Sequence, residues 1–127
     1  MSYGFSKQVT ATFDATVEKV TTELQKEGFG VLTTIDVKET LKKKLNVDFK
    51  KYKILGACNP PFAHKALQAE EQIGLLLPCN VVVYEKDGSS VVAAFDPISM
   101  SRVMDNPAVQ PIAEEMKRRL ERVIAAV

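Results

Sequence analysis

Asp87 and Gly88 stand between two β-rich runs, "CNVVVYE" (Cys79–Glu85) and "SVVAAFD" (Ser90–Asp96). An Asp-Gly pair suits a tight hairpin turn, because both central residues of that turn need positive φ. Strands joined by so short a loop run antiparallel, since a parallel pair needs a long crossover. The second run stops at Asp96–Pro97, where proline disfavours further regular structure. This hairpin is the strongest constraint on the fold, and the rest of the chain is read around it.

Upstream, Tyr3, Phe5, Val9 and Ala11 alternate with Gly4, Ser6, Gln8 and Thr10, the period of a strand with one buried face. Phe13, Val17, Val20 and Leu24 then recur at helical spacing. The reading is a helix over Asp14–Glu27, capped by Asp14 and ended by a left-handed turn at Gly28. "FGVLTTID" (Phe29–Asp36) reads as a second strand. In "DVKETLKKKLN", Asp36 and Glu39 have the spacing of a capping box. Val37, Leu41 and Leu45 point one way, while Lys42, Lys43 and Lys44 form a solvated face rather than an anion site.

"YKILGAC" (Tyr52–Cys58) is the third strand. Asn59 is positioned to cap the next helix, with Pro60 at its first residue, where a missing N–H costs nothing. Phe62, Ala63, Ala66 and Leu67 supply its apolar stripe. "IGLLLP" (Ile73–Pro78) leads into the hairpin, and "ISMSRVMDN" is a loop or short helical turn. The last helix, about Pro111–Ala126, carries Ile112, Ala113, Met116, Leu120, Val123, Ile124 and Val127 on one face. Glu114–Arg118 and Glu115–Arg119 are expected i,i+4 pairs on the other.

The order is β-α-β-(α)-β-α-β-β-α. Hairpin and alternation predict an α+β domain over residues 1–127: a largely antiparallel five-stranded sheet with helices on one face. At 127 residues the chain can bury one genuine core. No nucleotide-binding glycine loop is present. The formal net charge of +1 makes no electrostatic case for nucleic acid or an anionic membrane. Tryptophan is absent, which weakens base stacking as a function. "MSYGFSKQ" lacks a secretory pattern, and no apolar run is long enough to span a bilayer. The expected location is therefore the cytoplasm, with free thiols.

The chain's two cysteines are both followed by asparagine, in Cys58–Asn59–Pro60 and Pro78–Cys79–Asn80. They form neither CxxC nor a zinc-ligand spacing, so no metal site is expected. If the third and fourth strands are antiparallel neighbours, the exit at Cys58 and the entrance at Cys79 meet at one sheet edge. Cys58 would precede a helix N-terminus, which favours a thiolate or a bound anion. Pro60 and Pro61 remove two N–H donors there and weaken the anion reading. Free cysteine often serves as a small apolar core residue.

Three readings stay open. Cys58, Asn59, Cys79 and Asn80 line a small-molecule pocket; Cys58 or Cys79 does thiol-dependent redox or enzymatic chemistry; or the domain is structural. His64, the lone histidine, lies on the polar side of its helix near Gln68 and Glu71 and is a weak acid–base candidate. Glu85, Asp87 and Asp96 read as solvated acids around the hairpin. No residue pattern identifies a cofactor or substrate.

"EGFGVLTTIDV", "YKILGACNP", "LLLPCNVVVYE" followed by "DG", and Asp96–Pro97 resemble the family catalogued as domain of unknown function three hundred and two. The resemblance runs from about residue 3 to the last helix, and its most specific parts are Ala57–Pro60 and Leu77–Asn80. It implies a TATA-box-binding-protein-like α+β fold with a curved antiparallel sheet. It also implies that a homodimer is the expected partner state. The near-neutral charge argues against DNA binding despite that fold. The family supplies no catalytic residues, but it draws attention to Cys58, Asn59, Cys79 and Asn80. "IGLLLP", more apolar than a short segment needs, is the expected cover for a pocket or contact for a partner. The function best matched is a small cytoplasmic binding domain with its pocket at the Cys58/Cys79 edge.

Overall fold

A computed structural model describes residues 2–127. Its strands are β1 (Gly4–Val9), β2 (Gly30–Asp36), β3 (Tyr52–Cys58), β4 (Cys79–Lys86) and β5 (Ser89–Phe95). Its helices are α1 (Phe13–Lys26), α2 (Val37–Leu45), α3 (Pro60–Ala69), α4 (Ile98–Val103) and α5 (Gln110–Ala126), with a 3-10 segment at Glu71–Leu76.

The hairpin forms where the sequence places it. Asp87 and Gly88 have φ of 50° and 77°, and Lys86 faces Ser89 across the turn. The sheet order is β1-β5-β4-β3-β2, and every neighbouring pair is antiparallel. β1 and β2 are consecutive in sequence yet form opposite edges, so α1 carries the chain across the sheet between them.

Period-two alternation divides the sheet residues. Leu55, Ala57, Cys79, Val81, Val83, Val92 and Ala94 join one hydrophobic cluster. Val20 and Leu24 of α1, and Met116, Leu120 and Val123 of α5, belong to the same cluster. Fully burying such side chains stabilises by roughly 1.5–3 kcal/mol each before entropy is counted. The other face carries Tyr52, Asn80, Val82, Tyr84 and Ala93, and Tyr52 stacks on Tyr84 with centroids 5.2 Å apart.

Several local expectations change. Thr12, not Asp14, caps α1: its side chain accepts from the Ala15 N–H at 3.2 Å. Thr12 is extended, as a cap requires, whereas Asp14 already lies inside the first turn. Asp36 does cap α2, accepting from Glu39 N–H at 3.0 Å. Glu39 turns instead to Lys43, at 2.7 Å. The Val37–Leu41–Leu45 stripe does not become core. α2 buries no residue and adjoins the edge strand β2, so Leu45 stays 66% exposed. The Glu114–Arg118 pair is replaced, because Arg118 and Arg119 both bond Glu115 while Glu114 accepts from Gln110. "ISMSRV" is helical, as α4.

Candidate functional site

Strands β3 and β4 are direct antiparallel neighbours, with Ala57 opposite Cys79 and Gly56 opposite Asn80. The chain therefore leaves β3 at Cys58 where it enters β4 at Cys79. Both cysteines and Asn59 line one depression of about 270 Å³, together with Phe29, Ala57 and Met116. Leu32, Leu67 and Leu77 contribute to its wall. No charged side chain belongs to that lining.

Asn80 does not belong to it. Side chains alternate along a strand, so with Cys79 buried in the core Asn80 faces the other way. It is exposed and lines a separate groove of about 500 Å³ with Tyr3, Tyr52 and Tyr84. The four-residue motif is thus split between the two faces of the sheet.

The two thiols, both free, differ in environment. Cys79 is 2% exposed, and burial, with a smaller contribution from Cys58, pushes its pKa up to about 12. A thiolate is poorly solvated among aliphatic groups, so Cys79 stays protonated at neutral pH. Cys58 is half-buried, and it is the thiol that a reagent or ligand reaches first.

Asn59 occupies the N-cap position of α3 but makes no capping hydrogen bond. A cap side chain bonds the second or third helical N–H. Pro61 removes the second, leaving little to hold Asn59 in that role. Its Nδ2 instead donates to the Glu27 carbonyl oxygen at 3.3 Å. α1 ends in a Schellman turn, with Gly28 N–H donating to Gln25 O at 3.1 Å and Phe29 N–H to Leu24 O at 2.9 Å. Gly28 has φ of +84°, the left-handed turn that the sequence indicates. The Glu27 carbonyl is left over by this ending, as helix C-termini leave several. Asn59 satisfies it, and so does Arg119, whose Nη1 donates at 3.0 Å. Arg119 also bonds Glu115 at 2.9 Å and lies 5.0 Å from the Phe62 ring centroid.

Glu27 and Arg119 are not legible in the sequence as site residues, for they are 32 and 60 positions from Asn59 and no local pattern marks either as such. The single usable signal was Gly28, which marks the helix end and hence a spare carbonyl. His64 is exposed on α3 and does not line the depression. Glu85 and Asp87 are exposed, as expected. Asp96 is not: it is 6% exposed, accepts from Ile98 N–H at 2.9 Å and pairs with Lys117 at 3.1 Å. It sits at the β5–α4 junction, where α5 brings a lysine over it. Among the described residues no group of three His, Cys, Asp or Glu side chains is placed to hold a metal. Among those residues no helix is long and apolar enough to cross a membrane.

A family model described as "Domain of unknown function DUF302" matches residues 5–127. Among solved structures, the chain is similar to the crystal structure of an uncharacterized conserved protein DUF302 from Bacillus stearothermophilus. The two share 31% identity and a TM-score of 0.92, over 99% of this chain and 98% of that one. None of the curated proteins matches.

Proposed function

The chain belongs to the DUF302 family, whose description carries no activity, and we propose from its geometry that it is a small-molecule-binding domain. The ligand site is the depression lined by Cys58, Asn59 and Cys79. One observation carries this reading: a mainly apolar concavity receives a buried amide and a protonated thiol at the junction of β3, α3 and β4. Ligand sites have this character, apolar walls with a few fixed polar groups. Thiol chemistry is the weaker reading, because the nucleophile is a thiolate and burial holds Cys79 protonated. It rests on Cys58 alone.

The test is native mass spectrometry of the purified protein, joined to a fragment screen followed by amide NMR. Fragments should shift Phe29, Ala57, Cys58 and Cys79, and Ala63→Phe, which fills the depression, should suppress those shifts. Shifts confined to the Tyr52–Asn80 groove, or none at all, would sink the proposal.

A second copy of this chain is the partner we assign to the leucines around the depression. "IGLLLP" divides in the fold: Ile73 is fully buried, while Leu75 is 84% exposed. Leu32 and Leu67 are exposed beside the depression. Sedimentation velocity should show a dimer that Leu75→Lys weakens; a monomer at high concentration removes this assignment.

A further inference from the structure

The amide of Asn59 has a settled orientation, and that orientation restricts what the depression can hold. The Glu27 carbonyl oxygen is only an acceptor, so the amide atom 3.3 Å away must be Nδ2. Rotating the amide would set Oδ1 against that oxygen and lose the bond. Gly28 leaves room for the amide, since a Cβ there would lie 3.0 Å from Nδ2. One Nδ2–H is therefore committed to the helix end, and Oδ1 is the acceptor left to act.

Asn59 is 4% exposed, yet its Oδ1 accepts no hydrogen bond among the described residues. It is also not a sealed, orphaned atom. Among those residues the one buried side-chain polar atom without access or partner is Ser99 Oγ. Oδ1 thus keeps access although its residue is nearly enclosed, and Asn59 is one of the residues that line the depression. The remaining polar side chains there are the thiols, which bond weakly. Without a charged side chain in the lining, a charged ligand would lose its hydration uncompensated.

Resting on the binding reading above, we propose that the ligand is a small, uncharged, largely apolar molecule with an N–H or O–H donor, and that Asn59 Oδ1 accepts that donor. Molecules offering only an acceptor at the same position are rejected, because Oδ1 and the acceptor repel and both lose water. A volume of about 270 Å³ is at the small end of ligand pockets, so one mono- or bicyclic ring system is the matching size.

Indole and benzofuran test this, being near-identical in shape with an N–H donor exchanged for an oxygen acceptor. Dissociation constants are read from amide shifts at Ala57, Cys58 and Cys79 in the wild-type protein. Indole should bind at least about tenfold more tightly, the discrimination a buried, unpaired polar group commonly gives. Asn59→Leu, checked for folding by circular dichroism, should bring the two affinities together. Equal affinities in the wild type, with shifts at these residues, overturn the donor rule and leave the depression as a binding site. Tighter benzofuran binding overturns it likewise. Binding of neither compound at millimolar concentration overturns both the donor rule and the binding reading. The wild-type comparison stands even where Asn59→Leu fails to fold.

Discussion

Asn59 and Glu27, 32 positions apart, are joined by a hydrogen bond from Nδ2 to the main-chain carbonyl at 3.3 Å. The bond ties the end of α1 to the start of α3, and Arg119 adds α5 at the same oxygen. Three helices thus meet at one leftover carbonyl, directly behind the residue that lines the depression.

This arrangement has a measurable signature. Asn59→Ala should cost about 1 kcal/mol, the usual net value of one hydrogen bond. Arg119→Ala leaves Asn59 on the same acceptor. The double variant leaves Glu27 O with neither donor, so its cost should exceed the sum of the single costs by about 0.5 kcal/mol or more in urea denaturation. A capping role for Asn59 predicts no coupling to Arg119, and additive costs would restore that role.

Gly28→Ala should destabilise by about 1–2 kcal/mol, because a Cβ is unfavourable in the left-handed region. It should also disturb Asn59, whose Nδ2 lies 3.0 Å from the site of that Cβ. The amide signals of Asn59 should move in the variant's NMR spectrum. An unchanged midpoint in urea would show that the turn tolerates a side chain.

Leu120 is fully buried against the sheet. Leu120→Ala should cost roughly 2–5 kcal/mol, the range for core leucines. A loss below about 1 kcal/mol, typical of surface positions, would place α5 in the wrong rotation.

The two thiols should separate by reactivity and by pH. Iodoacetamide at neutral pH, followed by peptide mapping, should label Cys58 and spare Cys79 until the protein unfolds. Cys79 has a folded pKa of about 12 against an ordinary 9.0. The unfolded chain therefore releases this proton first as pH rises. The stability tied to the neutral thiol is complete below about pH 9.0 and is lost progressively toward about pH 12. Cys79→Ala should flatten that part of the alkaline decline relative to wild type. Equal slopes for the two proteins would refute the burial-driven shift.

Much of the fold was legible because its signals are local. Asp87–Gly88, the alternation over Tyr3–Ala11 and the stripe of α5 each depend on residues a few positions apart. The convergence of Cys58 and Cys79 followed conditionally from the pairing of their strands. Asn80 was misplaced with them because adjacency in sequence suggests adjacency in space, whereas the pleat sends neighbours to opposite faces. Asp96 was misjudged for a different reason. Its burial comes from Lys117 and the start of α4, neither of which its own neighbourhood announces.

The sequence by itself determined the elements, their antiparallel hairpin, the left-handed end of α1 and the apolar faces of α1 and α5. These follow from backbone sterics and periodicity, which act over a few residues. Only the tertiary structure decided that α1 crosses from one sheet edge to the other and brings Glu27 to Asn59. It alone decided that Asn59, with the second helical N–H removed by Pro61, turns to a distant carbonyl. Those outcomes depend on which unsatisfied donor meets which unsatisfied acceptor after the chain has closed, and no local pattern records that meeting.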